Sequence, residues 1–413
     1  MVNYVFLSVY FYSVPNLRFP QFIEPWNNYI VSELLTTFPT NSLSWDQLAY
    51  DQDSSLKNLH YGLIHNGFQT TCIAGEDRLF PYINQSFIPL KHTLIQNGDL
   101  ILADASEDRK DVGRPVEMLD IGDQKIVSGL HTIHAKNKTN LIVNGFKGFY
   151  FQSSAMKQQI FKIANGSKIY GISSSAFNEL KMFIPEKQEQ KKIVDLMIKI
   201  EKKIQTQSKI IDDLILQKKY IIYSLLEAIQ DNEKIMLKDL LFDYNVKTTI
   251  NNEYPVLSST ASGMYLQTEY FNKEAASDNT TGYKIIPRGY CTYRSMSDTG
   301  LFTFNIQNLV EKGIVSPAYP VFSANNYSNE FIILYLNNAS YIKKQILELK
   351  SGGTRFALPF STLGTLKIPK LEKEKQLSFI KTITAFERKI KNEEKILNDL
   401  HKQKNYLLNN MFI

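Results

Sequence analysis

The sequence predicts an α+β chain. Two mixed α/β domains are related by an internal repeat, and each is followed by a long helix. Three observations carry this. First, KIIDDLILQKKY (residues 209–220) and KILNDLHKQKNY (395–406) are identical at seven positions, at a constant offset of 186 residues. Second, each lies in a long run free of Pro and Gly, 186–228 and 370–413, with apolar residues on a 3.5-residue period. Third, short apolar and aromatic stretches punctuated by Gly, Asn, Asp and Pro precede each run, which is the pattern of strands and short helices.

Taken in order, residues 1–14 (MVNYVFLSVYFYSV) are an apolar extension. They lack the basic start and small-residue cleavage site of a signal peptide, and read as a strand or an upstream extension. Residues 15–185 form the first domain, in which LILAD (100–104) and LIVNGFKGFYF (141–151) read as strands and IFKIA (160–164) as a short helix. Residues 186–228 form the first long helix, which begins after the Ile184-Pro185 step. Proline holds its preceding residue out of the helical region and is tolerated at a helix start. Residues 229–369 form the second domain, with CTYRS (291–295) as a strand and FIILYLNNASYIKKQILEL (331–349) as helix. Residues 370–413 form the second long helix, after Ile368-Pro369.

The seam of the first helix comprises Ile193, Met197, Ile200, Ile204, Ile211, Leu214, Ile221 and Leu225. In the second it comprises Phe379, Ile383, Phe386, Ile390, Leu397, Leu400, Leu407 and Met411. Each seam is interrupted by a polar residue at the same two steps, Gln207 and Lys218 in one copy, Glu393 and Lys404 in the other. Matched seams favour mutual pairing over each helix packing on its own core. Gln207 with Glu393, and Lys218 with Lys404, are then candidates for fixing register. At about 1.5 Å per residue each helix is a rod of about 60 Å. The stretches ahead also correspond: QKIVSGLHTI (124–133) with GIVSPAYPVF (313–322), NGDLILAD (97–104) with RGYCTYRS (288–295), and ANGSKIYGI (164–172) with SGGTRFALP (351–359).

Composition narrows the function. With 43% hydrophobic residues the chain is of globular type, and 413 residues exceed one ordinary core. The balance of 47 basic and 41 acidic residues, net +6, permits a nucleic-acid partner without demanding one. Two distant cysteines and six scattered histidines argue against a disulfide framework or a metal site. No apolar stretch is long enough for a transmembrane helix, so no membrane partner is expected. There is no G-x-G-x-x-G, no P-loop lysine motif and no deaminase zinc pattern, so no cofactor is expected. SPAY (Ser316–Tyr319) approaches the [N/D/S]-P-P-[Y/F] turn of amino-methyltransferases, but its second proline is Ala318 and no cofactor loop accompanies it. A buried strand or a turn supporting the domain is the better reading.

On these residues the chain resembles the DNA-specificity subunit of type I restriction–modification systems. VPNLRFPQFIEPWNNY (14–29) looks like that family's opening, and GIVSPAY (313–319) like a segment of its target-recognition domains. IPEKQEQKKI (184–193) looks like the start of its spacer helix. The second copy, IPKLEKEKQLSFI (368–380), departs by Lys375-Gln376 in place of Glu-Gln and by two extra residues. The resemblance implies two target-recognition domains in a pseudo-two-fold repeat, with the two helices pairing as an antiparallel coiled coil. It implies double-stranded DNA as ligand, a bipartite asymmetric target, methylating subunits (two of them) and motor-nuclease subunits as partners, and a cytoplasmic location. The chain itself would perform no bond chemistry. An adaptor whose two globules bind proteins, or a fused methyltransferase or nuclease, are the alternatives.

DNA contact needs Lys and Arg for phosphates, and side chains on base edges for discrimination. In the first domain the candidates are Arg109, Lys110 and Arg114, within ASEDRKDVGRP, and Lys168. In the second they are Lys284, Arg288 and Arg294 among tyrosines, and Arg355 after a Gly pair.

Overall fold

The principal elements follow one another twice in nearly the same order. β1 (Asn27–Ile30), β2 (Leu35–Phe38), β3 (Thr71–Ile73), β4 (Leu100–Ala103), β5 (Ala105–Ser106), β6 (Pro115–Leu119) and β7 (Thr132–Asn137) lead into α1 (Phe146–Gln152) and α2 (Ser154–Ile163). β8 (Tyr170–Gly171) and β9 (Lys181–Ile184) then precede the long α3 (Lys187–Glu227). The second round has β10 (Lys234–Met236), β11 (Leu241–Asp243), β12 (Cys291–Tyr293), β13 (Met296–Ser297), β14 (Phe304–Ile306), β15 (Val321–Ala324), α4 (Asn329–Asn338) and α5 (Ser340–Glu348). It closes with β16 (Phe356–Ala357), β17 (Lys367–Pro369) and the long α6 (Lys373–Asn410). The computed structural model describes residues 14–51, 55–66, 71–73, 80–270, 279–349 and 356–413; the extension 1–13 lies outside them.

The chain divides into two compact units. One takes the described residues up to Ser208 together with Lys395–Ile413; the other is Lys209–Glu394. Both divisions fall inside the long helices, so each unit owns a globule and a half of each helix.

The first unit is built on a five-stranded sheet of order β2-β7-β4-β6-β3. All four residues of β4 are buried, because alternate side chains leave a strand on opposite faces and both faces are covered. Leu100 and Leu102 join a core with Trp26, Ile133, Phe146 and Phe149, whereas Ile101 and Ala103 join one with Ile64, Phe80, Val116 and Met118. The second unit is built on a four-stranded sheet of order β11-β15-β12-β14. Position for position this matches β2-β7-β4-β6, so the repeat read from the rods extends to strand order in the globules.

LIVNGFKGFYF is not a strand: Phe146–Gln152 is helix. Its residues from Phe146 to Phe151 are all buried, and a continuous apolar run does not distinguish a buried strand from a buried helix. What selects the helix is Glu117 on β6. Its carboxylate accepts from Gly145 N and Gly148 N at 2.8 Å each, and Lys147 Nζ lies 3.0 Å away. A carboxylate at a helix N-terminus satisfies amides that have no partner within the helix.

The helices pair within each unit. In the first, Ile193, Val194 and Met197 of α3 share a core with Leu408, Met411 and Phe412 at the end of α6. In the second, Ile222 and Leu226 near the end of α3 share a core with Ile383 near the start of α6, with Phe379 packed against it. The start of one helix meeting the end of the other makes the coiled coil antiparallel. Along both helices every seam position is buried or half-buried, and each buried Leu, Ile or Met contributes about 1.5–3 kcal/mol.

Candidate nucleic-acid interface

Each unit carries a two-stranded ribbon beside its main sheet. In the first, β5 pairs antiparallel with β8, setting Ser106 opposite Tyr170. That register brings the loop after β5 and the loop before β8 to one end of the ribbon, and so groups Arg109, Lys110 and Lys168. Their roles differ. Arg109 Nη2 donates to the carbonyls of Phe161 (3.0 Å) and Ala164 (3.3 Å), and its guanidinium lies 4.2 Å from the Phe161 ring. It closes the C-terminal end of α2, whose last carbonyls have no helical partner. Arg114 Nη1 likewise donates to the His65 carbonyl at 3.1 Å. Lys110 and Lys168 are exposed.

In the second unit β13 pairs with β16, setting Ser297 opposite Phe356. Lys284 sits half-buried on a strand; burial pulls its ammonium below the usual range, Asp243 opposes this and Lys247 adds to it. Arg288 is tied down, Nε to Glu311 Oε1 at 2.7 Å and Nη1 to the Asn308 carbonyl at 2.7 Å. Arg294 is exposed, and no hydrogen bond or ion pair engages it among the described residues. Arg355 lies outside the described residues.

Arg294 is the first residue after β12; the shared register, Gly98 with Gly289 and Ser106 with Ser297, sets Ala103 at its place in the first unit and Asp104 at the place of Ser295. At both places a charged side chain in one unit is therefore matched by an uncharged one in the other. Asp104 faces His131, Oδ1 to Nδ1 at 3.4 Å; burial pushes its carboxyl up while His131 pulls it back. His131 holds a left-handed φ of 54° just ahead of β7. The place of SGLH is taken in the second unit by SPAY, which forms a turn in which Tyr319 N donates to the Ser316 carbonyl at 3.0 Å. Ser295 Oγ donates to the Ala318 carbonyl at 3.0 Å and fastens this turn beside Arg294. Tyr319 and Arg294 then line one open cleft of about 660 Å³ with Gln267, Thr260 and Asp298. The first unit has a cleft of about 510 Å³, lined by Asn41, Phe87, Lys91, His92 and Ser128 among others.

The two lysine steps of the seam pair otherwise than expected. Lys404 reaches Glu201, Nζ to Oε1 at 2.7 Å, and Lys218 reaches Glu387, Nζ to Oε1 at 3.0 Å, so neither lysine has the other as its partner. An antiparallel seam sets each lysine against a residue of the opposite end, and in both cases that residue is a glutamate.

Sequence reasoning missed how the rods are fastened to the globules. Gln190 Nε2 donates to the carbonyls of Leu141 (2.9 Å) and Pro185 (2.8 Å), and its Oε1 accepts from Val143 N at 2.8 Å. Gln376 repeats this, donating to Leu371 O at 2.8 Å and accepting from Ser328 N at 2.9 Å. The signal was present, since the two glutamines stand 186 residues apart. Arg18 adds a bidentate pair with Glu189, at 2.8 and 2.7 Å, that the second copy lacks because Lys375 replaces the carboxylate.

The fold and the candidate site thus belong to a duplicated α+β chain whose two long helices pair antiparallel. Residues 82–215 match the model of the type I restriction modification DNA specificity domain. Among solved structures the chain is similar to the type I restriction–modification system S subunit from M. genitalium, with 14% identity, 97% of this chain and 99% of that chain covered, and a TM-score of 0.51. It is similar as well to a chain from a structure of type I restriction–modification complex assembly and conformational transition, with 12% identity, 94% and 97% covered, and a TM-score of 0.56. The resemblance to type I specificity subunits is thus borne out. No curated protein matches the chain. No described helix is long and apolar enough to cross a membrane.

Proposed function

We propose that this chain is the DNA-reading, non-catalytic subunit of a type I restriction–modification complex. Each unit reads one half of a bipartite target, and the paired helices set the length of the unread gap. Methylating subunits, two per chain, and motor-nuclease subunits supply the chemistry. The observation that supports this most is the pair of globules matched in strand order but unlike in their side chains, Ala103 in one standing where Arg294 stands in the other and Asp104 where Ser295 stands. Two copies of one reader require a palindrome; two unlike readers require an asymmetric target. Lys110, Lys168 and Arg294 are the exposed cations we assign to DNA. Arg109, Arg114 and Arg288 serve the fold that presents them.

The test is binding of the chain, assembled with its methylating subunits, to a duplex library with two randomised half-sites. Selection of one bipartite asymmetric sequence, with affinity falling steeply as salt rises, is the expected result. Salt-independent binding or none favours the adaptor reading, and methylation by the chain alone favours a fused enzyme.

A further inference from the structure

We propose that Arg294 reads a guanine in the half-site recognised by the second unit, and that its cleft admits a base edge rather than a phosphate. This rests on the DNA-reading function above. Among the described arginines of this globule, Arg288 is fixed by Glu311 and the Asn308 carbonyl, whereas Arg294 is exposed and unengaged. An unengaged guanidinium keeps its planar fork of donors available, and that fork matches the O6 and N7 acceptors of guanine in the major groove.

The surroundings separate base from phosphate. Apart from Arg294 the described lining of the cleft holds no Lys or Arg, so it lacks the clustered cations that grip a phosphate. Gln267, Thr260 and Thr299 add neutral donors and acceptors, and the 68% exposed Leu301 offers an apolar surface for a base or a thymine methyl. Lys110 and Lys168 of the first unit line neither cleft described above; they are exposed cations on loops, suited to phosphates. At the position matching Arg294 the first unit carries the buried Ala103, whose side chain has no donor to offer guanine.

The experiment compares the complex containing wild-type chain with those containing Arg294→Ala and Arg294→Gln. Each is selected on a duplex library with both half-sites randomised, and the bound fraction is sequenced. Arg294→Ala is expected to erase a guanine preference of roughly ten- to a hundredfold at one position of one half-site, leaving the other half-site unchanged. Arg294→Gln is expected to move that preference toward adenine, the base a glutamine amide matches. An exposed, unengaged side chain leaves the thermal midpoint unchanged, which the same samples report. Unaltered base profiles overturn the proposal. So does uniform weakening on all sequences with a shallower salt slope, the mark of a phosphate contact. A wild-type complex that selects no sequence overturns the DNA-reading function, and with it this inference.

Discussion

Lys404 Nζ lies 2.7 Å from Glu201 Oε1, and the second unit repeats the pair with Lys218 and Glu387 at 3.0 Å. Adding 186 to Glu201 gives Glu387, and adding it to Lys218 gives Lys404, so one ion pair is written twice with its members exchanged between helices. The copies differ in burial. The side chains of Lys404 and Glu201 are 13% and 4% exposed, and Thr71 Oγ1 donates to the other Glu201 oxygen at 2.8 Å; those of Lys218 and Glu387 are 26% and 56% exposed. Removing one partner of a buried pair strands the other charge. Lys404→Met is expected to cost about 3 kcal/mol, and Lys218→Met under about 1 kcal/mol. Urea unfolding of the two variants measures the gap, and equal losses refute the argument.

Gln190 and Gln376 are each 0% exposed and join a rod to its globule. Alanine at either leaves a buried amide and buried carbonyls without partners, at about 1–3 kcal/mol. Gln205, exposed on the same helix as Gln190, serves as control, with an effect within about 0.5 kcal/mol. Denaturant midpoints for the three substitutions check this; a control as damaging as the clamps counts against it.

His60 is buried against Trp45, with ring centroids 4.4 Å apart, and its Nδ1 accepts from Gly62 N at 3.1 Å. Burial, helped by His131, pulls its pKa from 6.5 down to about 4. The folded state therefore holds the neutral ring where the unfolded chain would protonate it. Its contribution is present above pH 6.5 and is lost as pH falls toward 4, by up to roughly 3 kcal/mol. His60→Asn keeps a capping acceptor and removes the titration, so it should flatten the decline in unfolding midpoint between pH 7 and 5. A parallel decline in wild type and variant would assign the acid sensitivity elsewhere.

Lys110→Ala and Lys168→Ala should weaken DNA binding nearly equally for all sequences, each reducing the slope of log K against log salt by about 1. Binding titrations across a salt series give the slope directly. A sequence-dependent loss would make these lysines base readers instead.

The rods were legible because a 3.5-residue period and an absence of Pro and Gly are local signals, reinforced by their repetition at a fixed offset. The sheet order was not, because β4 finds its partners β6 and β7 only after intervening loops, and nothing in LILA specifies which strand lies beside it. Phe146–Gln152 was misread because its helix depends on Glu117, a residue of another strand. The candidate site divided for a similar reason. Arg109, Lys110 and Arg114 read alike as a basic loop, yet Arg109 and Arg114 point at carbonyls that approach only in the folded chain. Gln190 and Gln376 look like ordinary surface glutamines on charged helices until the helix is docked.

Arg294 has Ala103 at its matched place and Asp104 has Ser295, and this inequality gives the molecule a head and a tail. Turned end over end on the same stretch of double helix, it would offer a methyl group where a guanidinium is wanted and a hydroxyl where a carboxylate is wanted. In the complex proposed above, enzymes gathered around such a chain would inherit a left and a right along the DNA without needing any mark of their own.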